Sequence, residues 1–232
     1  MGIQRCTTGM LGSLAESMLS LRRGADSDIE VTLPQLVDGA LRSLPMADYA
    51  GITVVHRPDS LETACASAPH VQALDEITDR CGDGPVLAAA WEQPVVRVAD
   101  LAADDRWPQY RRACLDGTPP RSLMCLRMFA HHRSAGVLSL YSDTADAFDE
   151  EAGEVATIYA GYAALAWRLL CRDEQFRKAL ASRDVIGQAK GMIMVEYKVD
   201  AVQAFEMLRK LSQDTNTPVV TLAEQVVESR LQ

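Results

Sequence analysis

Acids, thiols and imidazoles are the side chains with which a protein does catalysis, and in this sequence they are scattered. The acid pairs Asp104-Asp105 and Glu150-Glu151 adjoin expected helix starts, where carboxylates meet the positive end of the helix dipole. Gly82-Asp83-Gly84-Pro85 lacks the Lys and Ser/Thr that a phosphate-cradling loop requires. Six cysteines, Cys6, Cys65, Cys81, Cys114, Cys125 and Cys171, form neither a CxxC pair nor a Cys/His cluster. Zinc and a disulfide framework are both unexpected, and most of these residues read as reduced, core or half-buried thiols. Cys81 has only Arg80 beside it to favour a thiolate, so a plain loop thiol is the better reading. His131-His132 falls in an expected strand turn, and His56 and His70 stand apart, which predicts no metal site. Trp91, Trp107, Met124 and Met128 are candidates to line a small-molecule pocket, and core packing explains each equally well. No nucleophile with a base emerges, and the expectation is a protein that binds, needs no cofactor and is not an enzyme.

Charge is more informative. The chain of 232 residues carries a formal net charge of -9, and the whole deficit lies in residues 1–170, with 14 Arg and no Lys against 23 acids. Residues 171–232 hold 9 basic and 9 acidic residues and all four lysines, Lys178, Lys190, Lys198 and Lys210. This composition step predicts two units with different partners, and any nucleic acid is expected at the C-terminal end. Hydrophobic residues at 48% and charged residues at 24% are ordinary for globular domains. No apolar run approaches the ~20 residues needed to span a bilayer, and Met1–Met10 has no apolar signal core. A soluble cytoplasmic protein without membrane contact is expected.

The elements that must position these residues follow from periodicity. Leu11, Leu14, Met18 and Leu21 predict an amphipathic first helix, and Leu36, Val37, Ala40, Leu41 and Leu44 predict a second, opened by Pro34 and closed by Pro45. Tyr49–His56 and Leu61–Ser67 read as a hairpin around Arg57-Pro58-Asp59-Ser60. A short helix about Val71–Thr78, a loop over Cys81–Pro85 and strands at Val95–Val98, Ser122–Ala130 and Ala135–Tyr141 follow. From Asp149, a plausible N-cap, Val155, Tyr162, Leu169 and Phe176 recur every seven residues, with Tyr159, Ala166 and Leu180 as companions. That is a short coiled-coil pattern and predicts a parallel homodimer seam, the alternative being a helix packed on its own sheet. Asp200 with Gln203 predicts a capping box, Ala204, Phe205, Leu208 and Leu211 an apolar helix face, and Thr217 the cap of a last helix starting at Pro218.

The order of helix, hairpin, Cys81–Pro85 loop, Asp100-Leu101, Asp104–Pro108, the Gly136–Tyr141 strand and Ala147-Phe148-Asp149 resembles a GAF domain of actinobacterial regulators. Val86 and Asp83 stand where that family often has Cys and Glu. The stretch from Arg183 to Met194, then Ala204-Phe205, Leu208-Arg209, Asn216, Leu222-Ala223 and Val226-Val227, resembles an ANTAR domain. The resemblance implies an α+β GAF-like domain, a central antiparallel sheet with helices, followed by an all-α three-helix ANTAR module. Its expected boundaries are an N-terminal helix at 1–28, the sensor at 29–170 and the three-helix domain at 171–232, joined by a continuous coiled-coil helix about 149–195.

What the resemblance implies for function is antitermination of transcription by binding tandem RNA stem-loops in leader transcripts, under control of an unidentified small-molecule ligand of the GAF domain. The basic residues then gain a role. Arg183 and Lys190 continue the seven-residue register, so a dimer seam should splay there and expose a basic notch. The RNA-side candidates are Arg183, Gln188, Lys190, Gly191, Lys198, Arg209, Lys210 and Asn216, while Phe205 is expected in the core. Gly187 and Gly191 each cost about 1 kcal/mol relative to Ala in a helix, which predicts close approach of another helix or of RNA backbone. The alternative function is a signalling module whose C-terminal helices dock a partner protein.

Overall fold

Five runs rich in β-branched and aromatic residues pair into one antiparallel sheet in the computed structural model, which describes residues 29–57 and 60–229, with the backbone alone for 173–180. The predicted helix over Leu11–Leu21 lies outside these residues, as do the hairpin residues 58–59 and the side chains of Lys178, Phe176 and Leu180. The chain divides into two units, Met1–Leu170 and Cys171–Gln232.

In the first unit the strands are β1 (Tyr49–His56), β2 (Ser60–Ala66), β3 (Val95–Val98), β4 (Ser122–Ala130) and β5 (Ser134–Ser142), in the order β2-β1-β5-β4-β3. The central strand β5 is buried along its length apart from Ser134, which fits its nearly unbroken small and apolar sequence. Helix α1 (Ile29–Ser43) and the start of a long helix cover one face, where Leu36, Ile52, Leu138 and Tyr159 share a core. Helices α2 (Pro69–Cys81), α3 (Pro85–Trp91) and α4 (Pro108–Gly117) are associated with the other, around Val71, Val86, Leu123 and Tyr141. The strands and α2 agree with the sequence expectation, whereas α1 begins at Ile29 and holds Pro34 in its interior rather than opening there, the buried Thr32 and Leu33 extending its covered face ahead of the proline. Helix α3 does not appear in that expectation, and α4 only as the helix start expected beside Asp104-Asp105, because both are short and α4 buries only Tyr110 and Cys114, too few for a readable stripe.

Two glycines matter to this packing. Gly82 ends α2 in the left-handed region at φ 62, returning its N–H to the carbonyls of Thr78 and Asp79. Gly51 lets α2 press onto β1, since a Cβ there would collide with the side chain of Val71.

The long helix α5 (Glu150–Tyr197) is capped as expected, Asp149 Oδ1 accepting the N–H of Ala152 at 2.8 Å. Its seven-residue recurrence divides differently from expectation. Val155, Tyr159 and Ala163 are buried against the unit's own sheet, Ala166 packs on that core, and the Tyr159 hydroxyl donates to the Leu36 carbonyl at 2.6 Å. Ile158, Leu165 and Leu169 are instead 49%, 58% and 54% exposed, with Tyr162 half-buried. A period of seven cannot tell two flanks of one helix apart; the buried alanines 152, 156, 160 and 163 mark the core flank.

In the second unit, the C-terminal part of α5, α6 (Ala201–Thr215) and α7 (Val219–Glu228) share a small core of Ala189, Ile193, Ala204, Leu208, Leu222 and Ala223. The Asp200–Gln203 capping box forms as read. Thr217 does not cap α7: Pro218 is the N-cap, and the Thr217 hydroxyl donates to the Thr215 carbonyl. Phe205 and Leu211, expected inside, are 38% and 45% exposed. Only the Ala204–Leu208 line of α6 faces the core, because two neighbouring helices cover a narrow stripe.

Replacing Gly51 with Ala should force α2 off β1 and lower stability by about 1–3 kcal/mol, read as a shifted urea midpoint at unchanged slope.

Candidate functional site

Of the basic residues in the second unit, two converge. Arg183 is exposed on α5, and Lys190, two turns on, is half-buried with its Nζ 5.9 Å from the centroid of the Phe205 ring. Together with Ser182, Ile186, Gly187 and Phe205 they line a cavity of about 500 Å³ that has no carboxylate in its wall among the described residues. The helix spacing explains the grouping, since residues 183, 186, 187 and 190 share one face of α5. Gly187 and Gly191 have open space where a Cβ would project, with nothing within 4 Å. The close approach expected of them is therefore absent within the described chain.

The other candidates are dispersed. Gln188 is exposed on α5, away from this cavity's lining. Lys198 occupies the exposed turn between α5 and α6 at φ 55, and Asn216 is the left-handed C-cap of α6 at φ 51, its N–H bonded to the Ser212 carbonyl. Arg209 pairs with Glu206 at 3.0 Å on the surface of α6. Lys210 lines a second cavity of about 430 Å³, among Glu196, Asp214 and the apolar Ile193, Tyr197, Met207 and Leu211. Phe205 is the residue that sequence reasoning missed: its helical spacing with Leu208 looks like core, and only the shallow three-helix packing reveals it as surface.

In the first unit the four pocket candidates are not brought together. Trp91 lines a cavity of about 280 Å³ at the end of the β1–β2 hairpin, with Leu61, Leu87 and the carboxylates of Asp79, Asp83 and Glu92. The Arg57 guanidinium lies 4.2 Å above its ring. Trp107 is the N-cap of α4, under the Arg106 guanidinium at 4.4 Å. Met124 and Met128 are buried in the core on the sheet face covered by α1 and α5.

The sheet face under α2 holds the most unusual polar group. Asp75 is 1% exposed, and its Oδ2 accepts hydrogen bonds from Thr53 and Thr63 at 2.7 Å, tying α2 to β1 and β2. Among the described residues its Oδ1 has no partner, and burial pushes the carboxyl up to about 6. Burial also pushes the Cys114 and Cys125 thiols up to about 12, which makes them poor nucleophiles.

A five-stranded antiparallel sheet with helices on both faces and a three-helix C-terminal unit define an α+β domain followed by an all-α domain. Residues 26–168 match the family model of the GAF domain and residues 174–227 that of the ANTAR domain, so the chain belongs to the GAF family and carries an ANTAR domain. Among solved structures it is similar to free methionine-R-sulfoxide reductase from Neisseria meningitidis, at TM-score 0.55 and 18% identity over 72% of this chain and 93% of that one. It is also similar to the GAF domain of an Acinetobacter phosphoenolpyruvate-protein phosphotransferase, at TM-score 0.52 and 12% identity over 75% and 96%. An N-acylhomoserine-lactone-dependent LuxR-family transcription factor from Burkholderia cenocepacia gives 0.50 and 17% over 68% and 90%. These likenesses establish the fold. No match was found among curated proteins.

Asp75 has a consequence for stability. Its folded value of about 6 exceeds the ordinary 3.8, so the folded state holds this proton more tightly than the unfolded chain does. The group's contribution is most favourable below about pH 4 and declines as pH rises to about 6, by at most about 3 kcal/mol. Asp75→Asn should therefore gain stability relative to wild type across that window and keep the gain above it, measured by urea unfolding of both proteins from pH 4 to 8.

Proposed function

We propose that this chain is a homodimeric regulator of transcription antitermination, whose C-terminal unit binds paired RNA stem-loops in nascent transcripts while the GAF domain senses a small molecule. The observation that carries the reading is the convergence of Arg183, Lys190 and the exposed Phe205 around a cavity with no carboxylate in its wall among the described residues. The unit has zero formal charge, with 9 bases against 9 acids, so a broad basic surface cannot supply the affinity. Contacts at unpaired loops, where bases are accessible, supply it instead. In this reading residues 29–170 are the sensor and 171–232 the RNA-binding domain, and work on nascent transcripts puts the protein in the cytoplasm. Among the described residues no helix is long and apolar enough to cross a membrane.

The sensor acts by binding rather than by chemistry, and its ligand site is the cavity beside Trp91. Supporting this, the two most buried thiols are held protonated. Dimerisation runs along Ile158, Tyr162, Leu165 and Leu169, which alternate at four and three residues on the flank of α5 that the sheet leaves uncovered. The apolar cavity beside Met207 and Leu211 favours a second reading, in which these helices dock a partner protein.

RNA pull-down separates the two readings, because only the first recovers tandem stem-loops. Arg183→Glu with Lys190→Glu should sharply weaken binding to a paired-hairpin RNA and flatten its logarithmic salt slope by roughly 0.7 per lost phosphate contact, with circular dichroism unchanged. Unaltered affinity and slope in the folded double variant would mean that RNA is held elsewhere or not bound. Leu165→Asp with Leu169→Asp should yield monomers in sedimentation, and a folded variant that stays dimeric would exclude this flank.

A further inference from the structure

We propose that Phe205 is a stacking platform for one unpaired RNA base, flanked by Lys190 and Arg183 on the phosphates either side. The inference rests on the RNA-binding reading of this unit and names what that site reads. Ala204 and Leu208 take the core positions of α6 at 0% and 2% exposure, leaving Phe205 at 38%. An aromatic ring half in water contributes little to folding, yet offers the flat apolar face on which any base can stack.

Three features suit that occupant better than an apolar peptide. The cavity of about 500 Å³ has room for a base, and among the described residues its wall carries Arg183 and Lys190 with no acid. Lys190 Nζ stands 5.9 Å from the ring centroid, within cation–π reach, so the ammonium is already held beside the platform. Gly187 keeps the α5 wall low, with nothing within 4 Å of where its Cβ would be. A nonpolar segment would have to desolvate both cations without a counter-charge, whereas a nucleotide supplies the phosphate with the ring.

The test uses the full chain and a tandem-hairpin RNA selected by it from a pool with randomised loops, resynthesised with 2-aminopurine at each unpaired position in turn. Wild type should quench 2-aminopurine at one loop position. Phe205→Trp should preserve both quenching and affinity. Phe205→Leu should abolish the quenching and weaken binding roughly five- to hundred-fold while leaving the salt slope unchanged, because no phosphate contact is lost. Absence of quenching at every position of the wild-type complex would overturn the stacking proposal without needing a folded variant. Full affinity in Phe205→Leu would overturn it as well. Failure to select any RNA would overturn the RNA-binding reading itself, and the stacking site with it.

Discussion

Every described helix of the first unit is placed by the need to cover both faces of one five-stranded sheet. Because β5 lies at the centre of that sheet, its side chains alternate between two cores, and neither face can be left to water. The long helix α5 must therefore give one flank to Leu36, Ile52 and Leu138, and the hydrogen bond from Tyr159 to the Leu36 carbonyl fixes which flank. What remains for a partner is decided by subtraction: Ile158, Leu165 and Leu169 are exposed because Val155, Tyr159 and Ala163 are not.

The second unit shows the opposite situation, a core too small to hide the apolar residues around it. Six buried residues, three of them alanines, hold the helices together, and Tyr197, Met207 and Leu211 stay at the surface with Phe205. Such a module is economical as a binding surface, since three helices too weak to stand alone share one seam and present the rest. Its charges are distributed to match. Arg209 is engaged with Glu206 and Lys210 lies among acids, whereas Arg183 and Lys190 face a wall without them among the described residues.

On the sensor side, chemistry is suppressed where it might have arisen. Burial holds Cys114 and Cys125 as thiols and raises Asp75, so the groups closest to the sheet are structural ties rather than reagents. The accessible cavity lies instead at the end of the hairpin, where Trp91 is already engaged by Arg57 and the surrounding carboxylates set a negative field. The neighbouring fold of methionine sulfoxide reductase shows that the same architecture can carry an enzyme, so the fold alone does not decide what this unit does.

Local signals determined much of this protein before any coordinates. Runs of β-forming residues marked the strands, and Asp149 and the Asp200–Gln203 pair marked two helix starts, because each depends on neighbours within one or two turns, while the three-helix module followed from the family resemblance carried by Arg183 to Val227. The short helices α3 and α4, the αL positions of Lys198 and Asn216 and the loss of the Thr217 cap were not legible, since few residues define them. Tertiary structure alone decided which flank of α5 is free, which of the basic residues meet, and that Met124 and Met128 belong to a different core from the one Trp91 packs against. It also moved Phe205 from core to surface. The reason is the same in each case: periodicity records that a helix has an apolar stripe, but how wide a stripe is covered depends on how many elements pack against it, and that number is a property of the fold.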